Sequence, residues 1–78
     1  MKVLNYAATS LNLKIRFAEM KLSCKDVRKL LSLASTQAIY KWINPGFKSI
    51  PSIDHLVQLA DILDCTIDEL IITDEIDI

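Results

Sequence analysis

Helix-start signals recur at short intervals along this chain and leave room for little except a set of short helices. Ser23 is followed three residues later by Asp26, the spacing of a capping box. Thr66 and Glu69 repeat that pattern, and Pro51-Ser52 with Asp54 in the next turn gives a further start. Apolar residues follow each start at helical spacing: Val27, Leu30 and Leu31, then Ile53, Leu56, Val57, Ala60 and Leu63, then Leu70 and Ile71. One Gly and two Pro in 78 residues give too little turn punctuation for a β protein. About half the residues are apolar, enough for one small helical domain with a single core.

The first helix is expected from a cap at Thr9 or Ser10 to about Lys21. It carries two apolar stripes, Leu13, Phe17 and Met20 on one side and Leu11, Ile15 and Ala18 on another. Such a helix is either wrapped by its neighbours or lends one side to a partner. Residues 1–8 read as an N-terminal arm, 9–72 as the domain and 73–78 as an acidic tail. Asn44-Pro45-Gly46 should end the third helix, with Gly46 taking a left-handed turn.

The net charge of −1 hides an asymmetry. Residues 1–50 hold all nine Lys and Arg with two acids, and residues 51–78 hold the other eight acids and no Lys or Arg. A basic half and an acidic half suit a molecule with one phosphate-facing surface, or one that offers its acidic half to a basic protein partner. No apolar run reaches the roughly 18 residues of a membrane span, and Met1–Tyr6 lacks the features of a signal peptide. A cytoplasmic location is expected. Cys24 and Cys65 stand 41 positions apart beside a single His55, so a four-ligand zinc site is not available and both thiols should be reduced. His55 reads as a surface residue. Asp61, Asp64 and Asp68 read as a solvated face rather than a metal site. No set of nucleophile, base and orienting acid suggests catalysis, and no cofactor is called for.

Ser35–Trp42 is the stretch with two distinct faces. Ile39 and Trp42 point to one side and anchor it, while Thr36, Gln37, Tyr40 and Lys41 cluster on the other. Gln can bond an adenine edge through both amide groups, and Lys can reach guanine or a phosphate. A solvated polar face is the plainer reading. Tyr40 could stack on a sugar, touch a thymine methyl or lie on the protein surface.

The order of these pieces resembles the Cro/phage-repressor (XRE) type of helix-turn-helix domain. The likeness covers about residues 9–72. It rests on Leu22-Ser23, Ala38-Ile39-Tyr40-Lys41-Trp42, Pro51-Ser52-Ile53, Leu59-Ala60 through Leu63, and Thr66-Ile67-Asp68-Glu69-Leu70. The run Gln37–Trp42 also resembles small regulators common in Gram-positive bacteria and their mobile elements. The resemblance implies an all-α, five-helix, lambda-repressor-like fold with helices two and three as the helix-turn-helix. It implies a non-enzymatic repressor that binds a palindromic operator on double-stranded DNA as a homodimer. Base reading would fall to Thr36, Gln37, Tyr40 and Lys41. Phosphate contact would fall to Ser23, Cys24, Lys25, Ser35, Asn44 and Lys48, with Lys14 and Arg16 as further cations. Dimerisation would use Ile67, Leu70, Ile71, Ile76 and Ile78. An antitoxin or anti-regulator that binds a protein through the same fold is the rival reading.

The sequence departs from the family pattern in three places, one of them an overall charge of −1, lower than a tight DNA binder would carry. The turn Ser32-Leu33-Ala34 is one residue longer and lacks Gly, and an Arg–Glu pair common in the family is replaced by Phe17 and Ile43, which should touch.

Overall fold

The computed structural model describes residues 1–77; Ile78, expected at a dimer contact, lies outside them. In chain order the elements are β1 (Lys2–Leu4), α1 (Tyr6–Glu19), α2 (Cys24–Leu31), α3 (Gln37–Trp42), a 3₁₀ turn (Pro45–Phe47), α4 (Ile53–Ile62), α5 (Ile67–Leu70) and β2 (Thr73–Glu75). Five α-helices match the expectation. The two strands correct the all-α reading.

Capping chemistry sets the helix starts. Ser23 Oγ accepts from the Asp26 N–H at 3.2 Å while the Asp26 carboxylate accepts from the Ser23 N–H at 2.8 Å. Thr66 and Glu69 form the same reciprocal pair, and Ser52 caps α4. The first helix departs from expectation. Its cap is Asn5, whose Oδ1 accepts from the Ala8 N–H at 2.9 Å. Thr9 and Ser10 lie inside α1 and are fully buried. Few glycines mean that other residues take the left-handed conformation where these helices end: Lys21, Ser32, Lys48 and Asp64 all have positive φ. Gly46 does not, and sits within the 3₁₀ turn.

Met1–Ala8 is therefore not an arm, and the acidic tail does not stand apart. β1 and β2 pair antiparallel, with Lys2 opposite Glu75, Val3 opposite Asp74 and Leu4 opposite Thr73. The terminal amine bonds Glu75 Oε1 at 3.0 Å, and Asn5 Nδ2 donates to Asp74 Oδ2 at 3.0 Å. Thr9 closes the clasp from inside: its Oγ1 accepts from the Ile72 N–H at 3.0 Å and donates to the Ile72 carbonyl at 3.3 Å.

The core joins all five helices. Leu13, Val27, Ile39, Leu59 and Leu70 are fully buried, with Phe17, Leu31, Trp42, Leu56, Ala60 and Leu63 nearly so. Burying one such aliphatic side chain is worth about 1.5–3 kcal/mol. Ile43 packs against the cluster that contains Phe17. Two residues of the expected α4 stripe, Ile53 and Val57, are exposed; Leu59 takes the inward place. Across α1, Asn12 Nδ2 donates to the Glu69 and Leu70 carbonyls at 2.8 and 3.1 Å, satisfying the C-terminal end of α5. Arg16 lies 3.8 Å from the Glu69 carboxylate. No helix among the described residues is long and apolar enough to cross a membrane.

Two measurements check this account. Thr9→Val leaves the Ile72 N–H and C=O without their partner and should lower stability by about 1–3 kcal/mol in urea denaturation. Ser10→Ala should cost almost nothing, since the buried Ser10 hydroxyl has no partner to lose. The second concerns acid. Bonds from the backbone and hydroxyl of Thr66 hold the Glu69 carboxyl below its usual range, and Ser23 does the same for Asp26. Their contribution is present above the ordinary carboxylate range and is lost as pH falls through the lowered values. Glu69→Gln should flatten the acid limb of the stability–pH curve and leave its neutral limb sloping as before.

Candidate nucleic-acid interface

α3 is six residues long, too short to persist alone. Ile39 and Trp42, fully and almost fully buried, fix it to the core. The Trp42 ring packs against His55 of α4, with ring centroids 5.4 Å apart at 47°. His55 Nδ1 in turn lies 3.2 Å from Ser52 Oγ. His55 is thus half-buried support for α3 rather than a plain surface residue.

With its apolar side fixed inward, α3 must turn Gln37, Tyr40 and Lys41 outward, and all three are exposed. They line one cleft of about 680 Å³ together with Lys14, Ile43, Asn44, Pro45 and Phe47. Two ammonium groups, two amides and a phenol therefore line it together with the exposed ring of Phe47. The cleft can accept hydrogen-bonding edges, negative charge and apolar surface. Asn44 shapes its rim by accepting from the Gly46 N–H at 3.0 Å, which caps the 3₁₀ turn.

The other expected positions fall around this cleft in different ways. Thr36 is half-buried at the N-cap position of α3 and makes no side-chain cap bond. Ser35, expected as that cap, lies one residue before it, exposed in the connection 32–36. This connection is longer than Ser32-Leu33-Ala34. Ser32 supplies the left-handed residue that Gly would otherwise provide, and Arg28 Nη1 donates to the Leu33 carbonyl at 3.1 Å to hold the bend. Ser23 has its hydroxyl engaged by Asp26, and Lys25 is exposed two residues on, in the first turn of α2. Cys24 is half-buried; burial pushes its thiol up, against the opposing pull of a hydrogen bond with Tyr40. Lys48 is exposed just past the cleft. Arg16 faces α5 rather than the cleft, which corrects its place among the phosphate cations.

Sequence reasoning placed Pro45 at the end of the third helix and Phe47 in the loop beyond it, without singling out either as lining this cleft. An aromatic residue beside Pro-Gly was the available signal. The expected dimer residues also fall differently. Leu70 is fully buried within its own chain, and Ile67 and Ile71 pack on the core. Ile76 is partly exposed at the sheet edge.

A short helix pinned by its apolar side, with amide, phenol and ammonium groups presented outward beside a second helix start, belongs to the class of helical nucleic-acid binders. Comparison with family models makes this specific. The model for the Cro/C1-type HTH DNA-binding domain matches residues 12–75. The chain belongs to that family. Neither a comparison with curated proteins nor one with solved structures finds a match.

Proposed function

We propose that the protein is a transcriptional regulator, a repressor in its simplest form, that inserts α3 into the major groove of a palindromic operator as a homodimer. The observation that carries this reading is the shared cleft: Gln37, Tyr40 and Lys41 face outward beside Lys14 and Asn44. On this reading α2 and α3 are the helix-turn-helix pair. Gln37 and Lys41 read base edges, Tyr40 supplies apolar and hydroxyl contact, and Thr36 at the start of the helix is a further base contact. Lys14, Lys25 and Lys48 neutralise phosphates, with Ser23, Cys24, Ser35 and Asn44 close to the backbone. Repression follows from occupying DNA that polymerase needs, and requires no cofactor. The rival reading, an acidic interaction module, has less support, because Glu69, Asp74 and Glu75 are already engaged by Arg16, Asn5 and the terminal amine.

Selection of bound duplexes from a random pool should return a palindrome with half-sites about one helical turn apart. On that duplex, Gln37→Ala with Lys41→Glu should reduce affinity at least about a hundredfold, since each good base contact is worth about 1–3 kcal/mol. Three lysine–phosphate contacts per chain (Lys14, Lys25, Lys48) predict a log–log salt slope of about −2.7 for one chain on one half-site, at about −0.9 each. Unchanged binding by the double variant would remove α3 as the reading element.

A further inference from the structure

Among the described residues, α1 carries an apolar face that its own chain leaves about half exposed. Leu11 and Ile15 are 48% and 47% exposed, and Ala7 and Ala18, spaced to continue the stripe, are exposed as well. At about 100° per residue, Leu11 and Ile15 straddle the direction opposite the buried Leu13. The two edges of the stripe differ. Lys14 marks the edge that lines the α3 cleft, while Asn12 and Arg16 lie on the other side, against α5. We infer that this stripe is the homodimer surface, and that its occupant is the α1 stripe of a second copy packed antiparallel across a two-fold axis.

Three observations choose that occupant. The stripe is nearly symmetric about its own middle: Ala7, Leu11, Ile15 and Ala18 pair Leu11 with the second copy's Ile15 and set alanines at both ends, as a self-complementary contact requires. The same axis keeps both Lys14 edges on one side of the dimer. Both α3 clefts then face one way, which a two-fold DNA site demands. Other apolar faces fit a second copy less well. Ile53 and Val57 on α4 alternate with Asp54 and Asp61, so two copies of that face repel. α5 has turned Leu70 into its own core.

The size of the contact sets its strength. α1 has 14 residues, a rod about 21 Å long. One such face per copy buries well under the roughly 1,200–2,000 Å² of a stable interface. The dimer is therefore weak in solution and completed on DNA, where the second copy binds next to the first. This deepens the homodimer reading above, but its first test needs no DNA.

The full chain is compared by backbone amide NMR and sedimentation between about 0.05 and 1 mM, a range that brackets weak association. Concentration-dependent shifts should fall on α1. L11E and I15K should each weaken association at least about tenfold, and each reads independently of the other. The L11E/I15K combination should recover much of it, because opposite charges then face each other across the axis. I53E should associate as the unaltered chain does. Circular dichroism checks that each variant is folded, as half-exposed positions on a helix allow. No association at the highest concentration, shifts confined to α4 or the sheet, or association indifferent to L11E and I15K would overturn the inference. If the chain dimerises as described yet retains no DNA, the regulator reading fails and the dimer surface stands.

Discussion

The burial of Ile39 and Trp42 is the constraint on which the functional surface depends. α3 has too few residues to form a stable helix by itself, so its existence and its orientation come from the same contact. Once those two side chains are in the core, helical geometry leaves Gln37, Tyr40 and Lys41 no other direction than outward. The neighbours complete the arrangement. His55 backs the Trp42 ring, and Asn44 caps the turn that follows. The site is thus a consequence of packing rather than an addition to it.

A second constraint acts at the opposite end of the chain. Asn5 and Thr9 tie the start of α1 to the segment 72–74, and β1 with β2 extends the tie to the terminus. α1 is thereby held along its length, against α5 through Asn12 and Arg16 and against the core through Leu13 and Phe17. Its solvent face is held just as firmly, so an apolar stripe there is presented as a rigid surface. Two of the tail acids sit beside N-terminal groups through the same contacts, Glu75 on the terminal amine and Asp74 on the Asn5 amide.

What could be read from the sequence was what local chemistry decides. Both capping boxes, the Ser52 start and the inward place of Trp42 depend on residues within one or two turns of each other. The strands were not legible, because Lys2 and Glu75 meet only after the whole chain has folded between them. The start of α1 was misplaced for a related reason: Thr9 and Ser10 are good caps in isolation, and only the distant Ile72 explains why Thr9 is buried instead. On α4 the periodicity allowed more than one stripe, and packing against the other helices selected Leu59 over Ile53 and Val57. At the site, Gln37, Tyr40, Lys41 and Lys14 were all named from residue type. Phe47 was not, because a loop residue has no period from which to infer its direction.

The most direct test of the central claim is a map of which backbone amides shift when the isotope-labelled full chain is titrated with its selected duplex. The account predicts changes at residues 37–48, at the start of α2 and around Lys14, with α5 and the sheet nearly still. Shifts centred on α4, α5 or the strands, with α3 unmoved, would contradict it.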